Sequence, residues 1–168
     1  MAVEPFKQHH PVIHPTAYVH PTALIIGKVI IEAECSIWPY AVLRGDLEPI
    51  HVGRGTNIQE HVTIHTNLNA PVRIGEYVTV GHQACIHGAI IHDHVLVGMG
   101  SMLLDNAEIH TESIIGAKAL ITAGKVVEAR SLMLGAPAKK IRDVTDQEIL
   151  ATKENAREYL RLMKEHQE

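Results

Sequence analysis

An aliphatic residue recurs at every sixth position, and this period constrains the fold more than any other feature of the chain. It runs through Ile13, Val19, Ile25, Ile31, Ile37 and Leu43, slips by three residues, and resumes at Val52, Ile58 and Ile64. A second break at Thr66 to Pro71 precedes Ile74, Val80 and Ile86, after which a one-residue shift leads into Ile91, Val97, Leu103, Ile109, Ile115, Ile121, Val127 and Met133. Two positions before an aliphatic there is usually a small or compact residue, as at Ala23, Cys35, Ala41, Thr56, Ala84, Ser101, Ala107 and Ala119. Such a period is not helical, because a helix would place partners at i+3 and i+4. It suits short strands joined by tight turns, each with two inward side chains. Three strands close a triangular coil of roughly eighteen residues, and about six coils stack at the ~4.8 Å spacing of paired strands. A β-sandwich would instead turn every 8–12 residues.

Composition agrees with a narrow core. Hydrophobic residues make up 46% of the chain but aromatics only 4%, so the interior volume comes from Val, Ile, Leu and Ala. The formal charge of -4 lacks the clustered basic footprint of a nucleic-acid binder. No stretch approaches the ~18 uninterrupted apolar residues of a membrane span. The polar, His-rich segment Met1 to Pro11 has no signal-peptide pattern, so the expected location is cytoplasmic. Cys35 and Cys85 fall at inward positions on different faces and read as buried, inert thiols rather than a disulfide.

The domain reading is a tail over 1–11, a β-helix over 12–138, and a turn and packed helix over 139–168. Gly135-Ala136-Pro137-Ala138-Lys139 breaks the frame. Thr145 to Glu148 has the pattern of a capping box, with Val144 and Ile149 placed as a hydrophobic staple. Ile149, Ala156, Leu160 and Met163 then recur at helical spacing.

The frame also sorts the histidines. His65 follows Ile64 and His87 follows Ile86, one full coil later, so the two stack in one column above Arg44, which follows Leu43. His82, two residues past Val80, belongs to the preceding face, round a corner from the other two. The three imidazoles of one chain therefore do not converge to the ~2.0–2.1 Å of zinc ligation. If prisms pack side by side, His82 of one chain could meet His65 and His87 of the next, giving a cyclic homotrimer with a metal site at each interface. His14 and His20 read as turn residues, His9 and His10 as part of the tail, and His92 and His94 as surface-turn residues rather than a second metal site.

Arg44-Gly45-Asp46, Asn57-Ile58-Gln59-Glu60, His65, His82 with His87, and Gly98-Met99-Gly100 resemble the gamma-class carbonic anhydrases and their relatives across nearly the whole chain. The resemblance implies a left-handed parallel β-helix of hexapeptide repeats with a C-terminal α-helix. The hand comes from this resemblance alone, since crossover rules favour right-handed connections. It also implies zinc, or iron or cobalt, on His65 and His87 of one subunit and His82 of its neighbour, with an open position for water. Carbon dioxide hydrated reversibly to bicarbonate is the implied reaction. Gln59 resembles the residue that hydrogen-bonds the hydroxide and Asn57 the one that orients it. Arg44 and Asp46 resemble a pair that braces the interface and buttresses the site, and an interface ion pair alone explains them equally. Asn155 and Tyr159 resemble helix residues that reach the pocket, and helix packing also accounts for Tyr159.

Two departures from the archetype imply slow turnover. Leu47 stands where a Glu follows Arg-Gly-Asp, and the short segment Thr66 to Pro71 stands where an acidic loop carries a proton-shuttling Glu. Two alternatives are carried beside the anhydrase reading. One is an acyl-CoA thioesterase or acyltransferase, common in the wider superfamily. The other is a non-catalytic metal-binding trimer that serves as a scaffold.

Overall fold

The computed structural model describes residues 2–167, which form a left-handed parallel β-helix with one C-terminal helix. Every aliphatic of the six-residue frame from Ile25 to Met133 is buried, while Ile13 and Val19 at the open lower end are partly covered. The compact residues two positions earlier are buried as well, and two of their hydroxyls bond to neighbouring backbone: Thr56 Oγ1 donates to Gly75 O at 2.8 Å and Ser101 Oγ to Gly98 O at 2.7 Å. A buried hydroxyl without such a partner would cost free energy.

The corners have a common geometry. Three residues after most core aliphatics the backbone enters the left-handed region, as at Glu34 (φ 60°), Tyr40 (62°), His61 (60°), Gln83 (62°), His94 (57°) and Lys118 (57°). This conformation is unfavourable for L-residues by about 1–2 kcal/mol each. The corner N–H offsets the cost by donating to the coil below, as Gln83 N does to Glu60 O at 2.9 Å and Lys118 N to Met99 O at 2.8 Å.

One face is an eight-stranded sheet running from Tyr18–Val19 to Ser131–Gly135. Seven of its strands are parallel, one more than the six coils expected. The eighth, Ala138–Asp143, pairs antiparallel with Ser131–Gly135 around the Pro137 turn, where sequence had suggested only a turn into the helix. The other two faces join into one twelve-stranded sheet because Leu24–Ile31 and Val42–Val52 run continuously round a corner. Ala2–Glu4 pairs in parallel with Leu24–Ile26, so the segment read as a tail contributes a strand instead. The reason is sheet-edge chemistry: the first coil offers unpaired N–H and C=O groups that an extended segment satisfies.

The two breaks in the repeat extrude neighbouring loops. Gly27 pairs with Gly45 and Val29 with Ile50, so Asp46 to Pro49 bulge outward opposite Lys28 alone. Glu48 N donates to Thr66 Oγ1 at 3.1 Å, and Asn69 N donates to Glu48 Oε1 at 3.3 Å, locking this bulge to the Thr66 to Pro71 loop.

The helix spans Asp146–Glu165 and starts on the expected capping box: Glu148 N donates to Thr145 Oγ1 at 3.2 Å and Thr145 N to Glu148 Oε2 at 2.9 Å. Val144 and Ile149 are both buried, as a staple requires. Ile149, Thr152, Ala156 and Met163 form the buried stripe, whereas Leu160 is only half-buried. The helix runs back down the eight-stranded face, with Lys153 bonded to Glu112 at 2.7 Å, Asn155 reached by Thr79 at 3.1 Å, and Tyr159 edge-on to Trp38 at 5.7 Å.

Candidate metal centre

Register brings Arg44, His65 and His87 into one column, since Arg44 pairs with His65 and His65 with His87. Nδ1 of His65 lies 3.1 Å from Nε2 of His87. The remaining ring nitrogen of each meets a carboxylate. Nε2 of His65 is 2.9 Å from Asp46 Oδ1, and Nδ1 of His87 is 2.5 Å from Asp105 Oδ1. Asp46 comes from the first bulge and also pairs with Arg44 through its other oxygen. Asp105 comes from the next coil and is held by Asn67 Nδ2 at 2.8 Å. Burial pushes the Asp46 carboxyl up, but hydrogen bonds from His65 and Arg44 outweigh it and leave it below its usual range. Asp105 is also lowered, by Asn67 first and by His87 in addition.

If each carboxylate takes an N–H, the two facing nitrogens present lone pairs to each other at 3.1 Å. Such a pair needs a cation between or beside it. Two nitrogens on one tetrahedral ion with ~2.0–2.1 Å bonds would stand about 3.3–3.4 Å apart. The observed separation is close to that edge, and carboxylates behind the rings are the usual means of fixing ligand tautomer and orientation.

His82 stands on the other sheet, beyond strand Thr79–Val80, and does not join the other two. It has the same construction: Nδ1 is 2.5 Å from Glu60 Oε2, and the side chain is 43% exposed. Behind it the buried amides of Gln59 and Asn57 are fully engaged. Gln59 Oε1 accepts from His82 N at 3.2 Å, Gln59 Nε2 donates to Asn57 Oδ1 at 3.0 Å, and Asn57 Nδ2 donates to Thr79 Oγ1 at 2.9 Å. Thr79 Oγ1 continues the chain to Asn155 on the helix. Gln59, His82, Asn155 and Tyr159 border a groove of about 360 Å³ whose far wall is Leu96, Val97, Ile114 and Ile115. Burial, with the Glu60 charge adding to it, raises the Tyr159 hydroxyl above its ordinary value.

The site residues expected from sequence thus fall into two separate clusters in one chain. Arg44, Asp46, His65 and His87 make one; Asn57, Gln59, His82 and Tyr159 make the other. Sequence reasoning gave no role to Asp105, Glu60 or Thr79. Asp105 was within reach of the repeat, because Leu103 pairs with Ile86 and Asp105 is two positions beyond it.

His92 lies at the turn after Ile90–Ile91, and with Glu108 and His110 it forms the one group of three potential metal-ligating side chains among the described residues whose donor atoms all lie within 4.8 Å of one another. Ile91 pairs with Ile109, so the residue after each is stacked one coil apart, a relation the six-residue frame already contained.

A bacterial transferase hexapeptide family of six repeats matches residues 88–123. The carnitine operon protein CaiE of Proteus sp. (strain LE138) is 41% identical over 159 residues, which cover 95% of this chain and 81% of that protein. CaiE of Escherichia coli K12 is similar to the same degree. Among solved structures, a hexapeptide transferase family protein from Anaplasma phagocytophilum is 38% identical with a TM-score of 0.94, covering 97% of this chain and 96% of that one. The product of the BC4754 gene of Bacillus cereus is 34% identical with a TM-score of 0.96, covering 98% and 96%. No helix among the described residues is long and apolar enough to cross a membrane.

Proposed function

This chain belongs to the hexapeptide-repeat family that includes CaiE, and from that premise we propose that three copies join their half-sites into metal centres that reversibly hydrate carbon dioxide to bicarbonate. The observation that carries the reading is the facing pair His65 and His87, each backed by a carboxylate, with His82 built the same way on another face. A side-by-side trimer brings His82 of one protomer to the pair on the next. Zinc, iron or cobalt fits three neutral imidazoles, and such an ion supplies Lewis-acid polarisation and draws the pKa of water toward neutrality.

This chain's own groups do the rest. Asp46, Asp105 and Glu60 hold the outer ring nitrogens and keep the inner ones free. Gln59 is locked between His82 and Asn57, so it offers a fixed polar edge at the mouth of the apolar groove, where an uncharged linear substrate is not held by competing charges. Turnover is expected to be slow. Leu47 cannot carry protons, and the neighbouring Asp46 and Glu48 are engaged elsewhere, Asp46 with His65 and Arg44 and Glu48 with Asn69 of the loop.

The test is stopped-flow hydration of carbon dioxide with zinc-loaded, cobalt-loaded and anaerobically iron-loaded protein beside His82→Ala. A metal-dependent rate lost in His82→Ala supports the reading; no rate above buffer with any of the three ions rejects it.

A second reading, hydrolysis or transfer of an acyl group on coenzyme A, rests on the groove itself. About 360 Å³ with an aliphatic wall beside His82 suits a flexible thioester chain. Acyl-CoA cleavage in the same preparations, without carbon dioxide hydration, would select it. Metal-bound trimers inactive in both assays would leave a metal-binding scaffold.

A further inference from the structure

We propose that His92, Glu108 and His110 form a second divalent-cation site, separate from the His65, His82 and His87 half-sites. The three donors come from two consecutive coils. Ile90 pairs with Glu108 and Ile91 with Ile109, which places His92 and His110 in one column and Glu108 beside it on the same outer surface. The ~4.8 Å spacing of paired strands sets the rest: the two imidazoles stack with centroids 4.6 Å apart and planes 7° apart.

Both Nε2 atoms turn to one carboxylate oxygen. Glu108 Oε1 is 2.9 Å from His92 Nε2 and 3.6 Å from His110 Nε2. These distances bracket the ~3.3–3.4 Å between ligands of a tetrahedral ion, and the two near-parallel rings would tilt toward each other to bring both lone pairs onto one ion. A dication placed among the three atoms satisfies both rings and the carboxylate together.

The donor set defines the ion class. Two imidazoles and one carboxylate favour borderline divalent ions such as zinc, nickel or copper over calcium or magnesium. The side chains are 42%, 36% and 40% exposed, so remaining coordination positions open to solvent. His92 also borders a cavity of about 540 Å³ floored by Gly53 and Gly75, with Arg73 and His51 on its wall, which leaves room for water or a small anion on the ion.

The experiment uses the full chain without an affinity tag, dialysed against zinc. Wild type should take up two equivalents per chain, the triple variant His65→Ala, His82→Ala, His87→Ala one, and the triple variant with His110→Ala none. Copper(II) electron paramagnetic resonance on the triple variant should show coupling to two ring nitrogens, falling to one with His92→Gln. Because all three side chains lie on the surface, these variants should melt within a few degrees of their parent. If the triple variant binds no zinc above background, or binds it equally with His110→Ala or Glu108→Gln, the site does not exist. A wild type that binds one equivalent, lost with His110→Ala alone, would keep this proposal and reject the intersubunit one.

Discussion

Asp105 reaches the ring of His87 across Gly88: Oδ1 stands 2.5 Å from Nδ1, and a Cβ on residue 88 would sit 2.6 Å from that same oxygen and 2.8 Å from Ala70 Cβ. Gly88 also holds a φ of 61°, which a side chain disfavours. The carboxylate can therefore orient His87 only while position 88 carries no side chain. Asp105→Asn should weaken zinc binding at the His65 and His87 centre by about 10–100-fold. Gly88→Ala should do the same by displacing an intact Asp105. Competition titration with a chromophoric chelator checks both, on a His110→Ala background so that only one site is read. Unchanged affinity in both variants would remove Asp105 from the site.

The thiol of Cys35 is shut inside the prism and donates to Gly53 O at 3.0 Å. Burial pushes its pKa up to about 12, with the neighbouring Glu32 charge adding to the shift against backbone hydrogen bonds that oppose it. At pH 8 almost no thiolate is present. Native protein should resist alkylation at Cys35 for as long as it stays folded and label rapidly in denaturant, as peptide mapping after iodoacetamide would show. Labelling of Cys35 in the native state would contradict the packed interior.

The helix start carries its own pH dependence. Glu148 is lowered to about 2 from its ordinary 4.5, by the Arg142 guanidinium first and then by the backbone and hydroxyl of Thr145. Because the folded value is depressed, this stabilisation is complete above about pH 4.5 and is lost as pH falls toward 2. Trp38, the only tryptophan, touches Tyr159 and His166 at the far end of the helix, so its fluorescence follows docking. Glu148→Gln should flatten the acid dependence of that signal between pH 4.5 and 2. Thr145→Ala should cost about 1 kcal/mol in urea unfolding at neutral pH. Matching acid profiles for wild type and Glu148→Gln would contradict the cap's role.

The coil was readable in the sequence because each core aliphatic is a single residue in a fixed frame, and a one-residue error would turn every side chain outward. The same frame stacked His65 on His87 and kept His82 apart from them, as the structure does. What it could not supply were contacts made by residues off the frame. Asp46 meets His65 only because the bulge from Asp46 to Pro49 folds back; the frame does stack Asp105 near His87, but their contact also depends on the glycine at 88. The strand Ala138–Asp143 was hidden because pairing with Ser131–Gly135 satisfies a sheet end and leaves little burial pattern in its own residues. His92 and His110 were legible in principle. The one-residue frame shift next to His92 reads as a turn, and the column with His110 follows only from the pairing of Ile91 with Ile109.

In the proposed trimer, His82 of one protomer completes the His65 and His87 site of another. Co-expression of His65→Ala and His82→Ala chains, both carrying His110→Ala to silence the second site, tests it directly. Neither variant alone can form an intact centre. A randomly mixed cyclic trimer of the two forms one complete site wherever a chain with His65 and His87 meets a neighbour with His82, which restores about a quarter of the wild-type metal content. Metal content of the co-expressed trimers at that level, with none in either parent, is the predicted result. Full metal in the His82→Ala homotrimer, or none in the mixture, would contradict the shared site.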